Sequence, residues 1–412
     1  MYKQISKCRV CGNTDLVEVL DLGMQAMTGI FPSRDAADEV EVGPISIVKC
    51  HGLGMCGLLQ LKQTYDPIEM YGDNYGYRSG LNSKMINHLE DKVREIRGYQ
   101  ALVPGDLVVD IGSNDGTSLG AYPSDLNLVG VDPTAGKFRK YYKDHITVIE
   151  DFFSAEVLRG VVGTKKAKIV SSHSMLYDLD DPISFAKDVR NVLDIDGVWV
   201  FEQSYMPTML KRTAFDTICH EHIEYYGLAQ IEWILKEAGL MAVDVSFNDT
   251  NGGSFSVTAT PIENSKRKID KSIIETRQNE LDWGLETLDP YLAFAETTKK
   301  RARELREFVS RELAAGKVIR GVGASTKGNC LLQFAGLTYS DIASIAEINE
   351  DKFGCVTPGS NIPIENQENV LAAQSDYLLV LPWHFKDFFL TSPLFDGQTL
   401  LFPLPELEVI AR

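Results

Sequence analysis

Short apolar runs alternate with helical patterns through the middle of the chain. The spacing of apolar residues over 82–97 is that of one face of an amphipathic helix. After it, apolar runs with β-strand character recur between helical patterns, at 107–111, 128–131, 147–149, 167–171 and 197–203. Because strands that alternate with helices favour parallel pairing, this order predicts a doubly wound α/β sheet.

The same alternation returns in the last third of the chain. Residues 263–315 form a helical pattern rich in Glu, Lys and Arg, and strand patterns follow at 318–322, 342–347 and 377–381. These elements predict a second, smaller C-terminal α/β lobe. We therefore divide the chain into an N-terminal module, a central domain and a C-terminal domain, with bounds of 1–70, 71–262 and 263–412.

Composition limits the classes of function. The chain has 412 residues, of which 44% are hydrophobic, and a formal net charge of −17. It exceeds one ordinary domain, and its acidity disfavours nucleic acid and anionic membrane surfaces as partners. Residues 1–7 lack the apolar core of a signal peptide, and no apolar run approaches the roughly 20 residues of a membrane span. We expect a cytoplasmic protein, either a monomer or a weak dimer.

Cysteines are concentrated near the N-terminus. Four of the seven, Cys8, Cys11, Cys50 and Cys56, lie in the first 56 residues. In a cytosolic chain such an arrangement favours a metal over disulfides, and four thiolates complete a tetrahedral structural zinc site. Three of these cysteines with His51 form an alternative ligand set. Four free buried cysteines are the remaining alternative, which so small a segment with little core of its own disfavours.

A tight turn follows the first strand of the central domain, in the sequence Leu107-Val-Val-Asp110-Ile-Gly112-Ser-Asn114-Asp115-Gly116. Gly112 and Gly116 allow the backbone to approach a ligand closely, because they have no Cβ. A diphosphate is disfavoured beside the Asp115 carboxylate. Acidic and amide side chains suit the ammonium and carboxylate groups of a methionine moiety instead.

Two further elements follow at the ends of the next strands. Asp132 lies twenty residues after Gly112, where a carboxylate can accept hydrogen bonds from both hydroxyls of a ribose. Asp151 and Phe152 offer an acid and an aromatic ring to an adenine. Taken singly, Gly112 is a turn glycine and Asp132 a helix cap, but three elements in this order predict an S-adenosylmethionine (SAM) site. The pattern resembles the class I methyltransferase fold.

Titratable side chains are concentrated after the fifth strand, in His220-Glu221-His222. The i, i+4 spacing of a helical zinc site is absent, since the two histidines are only two residues apart. An imidazole with a pKa of about 6.5 can accept a proton at neutral pH, and Glu221 can orient it. We interpret the segment as a general base. The alternative is that both histidines only hydrogen-bond a loop.

Motifs in a fixed order extend this picture along nearly the whole chain. They are Cys8-x-x-Cys11, Gly57-Leu-Leu-Gln-Leu61, Tyr75-Gly-Tyr77-Arg78-Ser79, Asp216-Thr-Ile218 followed by His220-Glu221-His222, Asn251-Gly-Gly-Ser254, Gly323 to Asn329, and Leu381-Pro-Trp383. Together they resemble the sugar C-methyltransferase family of deoxysugar biosynthesis, a class I SAM-dependent family.

The resemblance implies the role of each matching position. His222 is the base and Glu221 its partner, with His220 beside them. A family histidine falls at Tyr177 or Asp178, and we assign it to Tyr177. Cys219 stands where the family has a tyrosine, which removes a phenol from the pocket or signals a different sugar. The donor-binding positions are then Tyr77, Asp110, Gly112, Asn114, Gly116, Asp132, Pro133, Asp151, Phe152 and Ser174. The substrate-binding positions are Tyr75, Arg78, Cys219, Asn251, Ser325, Thr326, Lys327, Asn329, Glu347 and Trp383.

The C-terminal domain carries its own candidate site. A strand pattern at 318–322 leads into small residues, hydroxyls and Lys327 at the start of a helix, which suits an anion. Glu347, 26 residues after Gly321, ends the next strand, where it can contact a ribose. We expect a nucleotide-diphosphate sugar here, with a turn that serves only packing as the alternative. Trp383 and Lys386 are candidates for the same cleft. The alternative for Trp383 is a place in the core, where an aromatic residue near a strand end is more often found.

The implied reaction follows from carbon chemistry. A C–H bond becomes acidic only beside a carbonyl, and a 4-keto sugar would let His222 remove the proton at C3. The resulting enolate, held by hydrogen-bond donors, would attack the SAM methyl in line. Two alternatives are methyl transfer to oxygen or nitrogen of a nucleotide-linked sugar, and a non-catalytic zinc- and nucleotide-binding protein.

Overall fold

The computed structural model describes residues 2–66 and 78–412, and its N-terminal part is an antiparallel sheet. Its strands are β1 (Lys3–Gln4), β2 (Leu16–Ala26), β3 (Val42–Cys50), β4 (Leu59–Leu61) and β5 (Gln63–Thr64). β3 lies between β2 and β4, and β1 pairs separately with β5. The five final residues of β3 are all buried, so this sheet has a core on both faces.

Seven strands of the central domain form one sheet. The strands of this region are β6 (Leu107–Ile111), β7 (Asn127–Val131), β8 (Ile146–Ile149), β9 (Ala167–His173), β10 (Leu193–Ser204), β11 (Glu224–Tyr225), β12 (Leu240–Asn248) and β13 (Ser254–Pro261). All but β11 form the sheet, in the order β12-β13-β10-β9-β6-β7-β8. β6 to β10 are parallel, whereas β13 is antiparallel to β10 and to β12. β11 joins the N-terminal sheet by pairing with β4.

Helices cover the central sheet, and their ends follow from the local sequence. They are α1 (Ser83–Tyr99), α2 (Ala135–Phe138), α3 (Ala155–Val162), α4 (Pro182–Val192), α5 (Met206–Arg212) and α6 (Leu228–Glu237). α1 begins after Asn82, whose side chain accepts a hydrogen bond from the Lys84 amide. It buries Val93 and Ile96 against one face of the sheet. Burial of each such side chain contributes about 1.5–3 kcal/mol.

The order of the parallel strands determines where a ligand can bind. The chain runs outward from β6 through β7 to β8, then crosses back to β9 on the other side of β6. Connections therefore leave the carboxyl ends of β6 and β9 in opposite directions and open a crevice there. The turn at Gly112 follows β6 and the turn at Ser174 follows β9, so both line this crevice.

The C-terminal domain repeats this arrangement in a second sheet. Its elements are α7 (Lys271–Asp282), α8 (Asp289–Ala314), β14 (Ile319–Val322), α9 (Thr326–Phe334), β15 (Ile345–Glu347), β16 (Ile364–Asn366), α10 (Gln367–Ala372), β17 (Tyr377–Val380), α11 (Lys386–Thr391), β18 (Thr399–Phe402) and β19 (Glu408–Ala411). The strand order is β16-β15-β14-β17-β18-β19, with only β19 antiparallel to its neighbour. The direction of the connections reverses between β14 and β17. A second crevice therefore lies at their carboxyl ends.

The N-terminal sheet and the C-terminal domain share one hydrophobic core. Leu20 and Ile47 of the first belong to the same buried cluster as Leu331 and Ile345 of the second. Polar contacts follow the same boundary: the Ala26 amide donates to Gln333 Oε1 over 2.7 Å, and Asn329 Nδ2 donates to the Thr28 carbonyl over 2.8 Å. These lobes are therefore packed as one body.

The structure confirms the predicted fold class, a mixed α/β chain with a methyltransferase-type sheet and a second α/β lobe. β9 runs two residues beyond its predicted end at 171, and β10 begins at Leu193, four residues before its predicted start. β12 and β13 were not predicted. The domain bounds of 1–70, 71–262 and 263–412 stay a prediction.

One property of the helices bears on membranes. Over residues 2–66 and 78–412, none of them combines the length and the apolar character that crossing a bilayer requires.

Candidate active site

The four N-terminal cysteines converge as predicted. All four sulfur atoms lie within 4.8 Å of one another, and the Cys8–Cys56 and Cys11–Cys50 pairs are each 3.5 Å apart. Tetrahedral zinc with Zn–S bonds of about 2.3 Å needs sulfur atoms about 3.8 Å apart, so the cluster fits the ion. His51, the alternative ligand, is not part of this group within the described residues. Asn13 Nδ2 lies 3.3 Å from Cys50 Sγ and donates a hydrogen bond that supports the thiolate.

The turn after β6 has the backbone that a close ligand approach requires. Gly112, Asn114 and Gly116 all have positive φ, at 70°, 51° and 76°. The Tyr142 hydroxyl donates to the Asn114 carbonyl over 2.8 Å, and a Cβ on Gly116 would lie 2.6 Å from the Tyr142 ring. Tyr142 therefore holds the turn in place from the side of the protein.

Asp132 supports this turn as well as facing the donor site. Its Oδ2 accepts from the Asn114 amide over 2.8 Å, and its Oδ1 accepts from the amide and the hydroxyl of Thr134. A carboxylate offers about four acceptor positions, so these three bonds leave capacity for a ligand. The predicted contacts with both hydroxyls of a ribose stay a prediction.

The other predicted donor contacts are spread along the same edge. Ser174 has a φ of 52°, and its amide donates to the Glu202 carbonyl over 2.7 Å. Asp151 is exposed and Phe152 is half exposed at the end of β8, where an adenine ring can pack. Asp110 is buried, accepts from Ser171 Oγ, and has its pKa raised to about 7 by burial. Its position inside the sheet gives it a supporting role. Pro133 follows Asp132 and is partly exposed.

Residues 78–81 lie over the donor turn. The Ser79 amide donates to Asn114 Oδ1 over 2.9 Å, and the Gly80 amide donates to Asp115 Oδ2 over 2.8 Å. Arg78 lies 3.6 Å from the same carboxylate and 4.0 Å from the Tyr141 ring centre. Tyr75 and Tyr77, predicted to close over the site, lie outside the described residues.

His222 and Tyr177 are brought together, as their predicted roles require. Their rings are 4.6 Å apart and nearly perpendicular, and both line a small cavity with Ser204 and Glu224. His222 Nδ1 lies 2.9 Å from the Thr217 carbonyl. A carbonyl only accepts, so Nδ1 carries the hydrogen and Nε2 keeps its lone pair. His222 is partly exposed, so that a substrate can reach it.

Charge around His222 tunes its proton affinity. Burial lowers the pKa of His222, but contacts with Cys219, the Glu221 carboxylate and the Thr217 carbonyl more than offset this, so that the pKa is raised. The pKa of Cys219 is raised well above its usual range by burial, so its thiol stays neutral. Burial also raises the pKa of Glu221, whereas the charge of His222 and the hydrogen bond from Cys219 act in the opposite direction. Cys219 Sγ donates to Glu221 Oε2 over 3.4 Å.

His220 faces a different environment from His222. Its ring packs edge-on against Tyr65 of the N-terminal module at 4.8 Å, and burial lowers its pKa to about 4. It is not among the residues that line the His222 cavity. The structure therefore shows a packing contact for His220, and its catalytic role stays a prediction.

The predicted substrate residues of the C-terminal domain lie in α9 and at the carboxyl ends of β14, β15 and β17. Ser325 caps α9 by accepting from the Gly328 amide, and Lys327 Nζ donates to the Asn251 carbonyl over 2.7 Å. Trp383 Nε1 donates to Asp216 Oδ2 over 2.8 Å. Glu347 accepts from the amides of residues 348 and 349, and Asn329 is fully buried against Thr28. Thr326 opens the helix beside them.

The sequence interpretation missed a polar cluster at the carboxyl ends of β9 and β10. Glu202 Oε1 lies 2.5 Å from His88 Nε2, and Glu202 Oε2 accepts from Asn248 Nδ2 over 2.8 Å. His173 pairs with Glu202 across the strands, and burial lowers its pKa to about 4. The predicted β9 ended at 171, so His173 was not recognised as a strand-end residue.

Sheet order and the donor turn define a class I methyltransferase fold, and the comparisons with known proteins agree. Family models match a zinc binding domain at 8–71, a methyltransferase domain at 81–245 and a C-methyltransferase C-terminal domain at 249–405. The C-methyltransferase NovU of Streptomyces niveus is 30% identical over 417 residues, covering 100% of this chain and 98% of that protein. The chain belongs to the C-methyltransferase family, which confirms the resemblance that the motifs indicated. It is a SAM-dependent methyltransferase with a structural zinc site.

Solved methyltransferase structures resemble less than half of this chain, with low sequence identities and low TM-scores. A SAM-dependent methyltransferase from Clostridium acetobutylicum is 14% identical, with a TM-score of 0.33, and the match covers 43% of this chain and 92% of that one. The magnesium protoporphyrin IX methyltransferase of Synechocystis, solved with bound S-adenosylhomocysteine, is 16% identical, with a TM-score of 0.34. That match covers 47% of this chain and 91% of that one. Scores this low carry no argument about the present chain.

Loss of the metal should destabilise the protein. We expect zinc chelation or Cys50→Ser to lower the free energy of unfolding by about 4 kcal/mol or more, because the metal ties together two segments that are distant in sequence, 8–11 and 50–56. Bound zinc measured by mass spectrometry, together with denaturant unfolding, checks this. Cys355→Ser, outside the cluster, is the matched control. A zinc-free protein as stable as the wild type would contradict the assignment.

The donor turn should not tolerate a side chain at Gly116. Gly116→Ala adds a Cβ at positive φ and 2.6 Å from Tyr142, so we expect the dissociation constant of S-adenosylhomocysteine to rise about tenfold, equivalent to about 1.4 kcal/mol. Calorimetric titration measures it. Gly98→Ala in α1, where a Cβ meets nothing within 4 Å, should leave binding unchanged. Equal affinities in both variants would show that the turn does not contact the donor.

Proposed function

We propose that this methyltransferase acts on C3 of a nucleotide-linked 4-keto deoxysugar, through an enolate formed by His222. The observation that carries the proposal is the His222 imidazole, whose Nδ1 is bonded to the Thr217 carbonyl. Its Nε2 is therefore left as a proton acceptor. Methyl transfer to carbon needs such a base, because a saturated carbon has no lone pair to attack with. Membership of the C-methyltransferase family supports carbon as the acceptor over oxygen or nitrogen.

His222 and its neighbours supply the proton chemistry. Nε2 takes the proton from C3 of the sugar, and the electron pair of that C–H bond moves into the enolate of the 4-keto group. The Glu221 carboxylate stabilises the imidazolium that forms, since it favours the charged ring. Tyr177, 4.6 Å from the His222 ring, is the proposed positioning partner of the base.

When SAM is bound, its sulfonium supplies an electrophilic methyl group. The residues that would hold it are those of the turns after β6 and β9, Gly112 to Gly116 and Ser174, together with Asp132. The enolate carbon would then accept that methyl group, and the electron pair of the broken C–S bond would stay on the sulfur. The role of the chain is to bring the sugar enolate and the methyl group of SAM close together and to align them.

Replacing the base should stop turnover without affecting donor binding. We expect His222→Asn to lower kcat by about 10²–10⁴-fold and to abolish deuterium exchange from D2O into C3 of the keto sugar. S-adenosylhomocysteine binding should be unchanged. The enzyme is incubated with each of the dTDP-, GDP-, CDP- and UDP-linked keto sugars. Mass spectrometry of the sugar then measures both the gain of a methyl group and the uptake of deuterium. The exposed His145→Asn is the control. Unchanged turnover or exchange in His222→Asn would refute the mechanism.

The pH profile tests the partnership of Glu221 with the base. The base must be neutral to act, and the pKa of His222 is raised above its usual value of 6.5. Activity should therefore be absent at low pH and rise through a pKa above 6.5. Glu221→Gln removes the charge that favours the imidazolium, so the acid limb of kcat/KM should move to lower pH.

The exposed Glu237→Gln, which changes the same charge far along α6, is the control for that shift. An acid limb that stays in place in Glu221→Gln would show that another group sets the profile.

A further inference from the structure

Arg9 lies between Cys8 and Cys11 of the zinc cluster, and its side chain is only 2% exposed. A guanidinium group carries five N–H hydrogens, and here each of the five has an acceptor. Nε donates to Asp180 Oδ1 over 2.9 Å, and Nη1 donates to the Leu61 carbonyl over 2.6 Å. The other three acceptors are Gln60 Oε1, the Gln63 carbonyl and Thr64 Oγ1, at 3.3, 3.0 and 2.6 Å. Because the guanidinium group is planar and rigid, Arg9 holds these acceptors in a fixed arrangement.

Asp180 connects Arg9 to the turn that carries Tyr177. It follows Tyr177 by three residues, and its Oδ1 accepts from Thr64 Oγ1 over 3.1 Å as well as from Arg9. The same turn is bonded to the segment of the candidate base, since the Ile223 amide donates to the Tyr177 carbonyl over 3.0 Å. Tyr177 is thereby held from two directions.

Strand β4 connects Arg9 to the segment of His222. The Leu61 carbonyl accepts from Arg9, and the Leu61 amide donates to the Ile223 carbonyl over 2.8 Å. β4 also pairs with β11, whose Glu224 lines the small cavity beside His222. One side chain of the N-terminal module therefore bonds both segments that meet at the candidate base.

The distribution of the acceptors distinguishes a role in the site from a role in folding the N-terminal module. An arginine that only stabilised this module would need acceptors within it, and residues 60–64 supply four of the five. The fifth, Asp180, is 171 residues away along the chain, and it forms an ion pair with Arg9. Hydrogen bonds between charged partners are about twice as strong as neutral ones. The strongest bond of Arg9 is therefore the one that leads to Tyr177.

We propose that Arg9 is a positioning residue that holds the turn of Tyr177 against His222, so that the N-terminal module helps to align the base. The inference rests on the proposed function for the role of His222. A displacement of about 1 Å near a reacting group can cost about 10²-fold in rate. Misalignment of the base affects turnover rather than donor binding, so loss of Arg9 should lower kcat and leave the affinity for S-adenosylhomocysteine unchanged.

Two variants break the contact from opposite ends. Arg9→Gln removes the guanidinium group, and Asp180→Ala removes its acceptor at a side chain that is 64% exposed, which leaves the core intact. We expect each to lower kcat about 10- to 100-fold for the nucleotide-linked keto sugar that the wild type methylates, measured per folded, zinc-loaded chain. KM should change by about twofold at most. Because the two variants break one contact, the double variant should lose no more than the larger single loss.

Matched controls and zinc content separate alignment from folding. Lys7→Gln removes an exposed charge beside Cys8, and Asp125→Ala removes an exposed carboxylate before β7, so both should keep the wild-type kcat. Mass spectrometry should find the same bound zinc in Asp180→Ala as in the wild type. If Arg9→Gln loses zinc, Asp180→Ala decides alone. A wild-type kcat in Asp180→Ala would overturn the proposal.

A measurement without substrate separates failure of this inference from failure of the proposed function. The Tyr177 ring, 4.6 Å from that of His222, shifts the NMR signal of His222 Hε1, which is assigned by its absence in His222→Asn. Tyr177→Leu gives the size of that shift. In Asp180→Ala we expect the signal to move towards its position in Tyr177→Leu, and in Asp125→Ala to stay in place. If the wild type methylates none of the keto sugars but the signal moves, the proposed function is wrong and the positioning stands. A signal that does not move in Asp180→Ala would overturn the positioning.

Discussion

A buried hydrogen bond, from Trp383 Nε1 to Asp216 Oδ2, ties the segment before His222 to the C-terminal domain. Asp216 lies six residues before His222, and Trp383 belongs to the turn after β17. Burial raises the pKa of Asp216, while the Lys327 charge and the Trp383 hydrogen bond act in the opposite direction. Removing one partner of such a bond leaves a buried polar group unsatisfied, at a cost of about 1–3 kcal/mol. The segment that carries His222 is therefore held against the C-terminal domain.

The sequence correctly predicted those elements in which the spacing of apolar residues matches the burial that the structure shows. The fully buried β6 and the amphipathic α1 were both found where expected. The antiparallel strands β12 and β13 were missed, and so was the pairing of β11 with β4. β11 has only two residues, too few to show a period of two, and its pairing with a strand far along the chain is a tertiary property.

The candidate site shows the same division between local and long-range information. The family resemblance assigned Tyr177 and His222 to the same site, where the structure places their rings side by side, and the cysteine pattern predicted the cluster. Motif spacing gave no means of separating His220 from His222, because the side-chain directions depend on the irregular backbone of the loop. Glu202 was missed because it is a single polar residue whose partners, His88 and Asn248, are supplied by distant elements. Strand ends next to a reversal of connection are where such residues should be sought.

The common core of the N-terminal sheet and the C-terminal domain has a practical consequence for engineering. Leu20 and Ile47 pack in the same cluster as Leu331 and Ile345, and Gln333 and Asn329 bond the backbone of residues 26 and 28. In a chimaera that takes only its C-terminal domain from a relative, that domain would pack against an apolar surface to which it is not matched. A graft must therefore include the N-terminal sheet together with the C-terminal domain, because these two parts are distant in sequence but share one core.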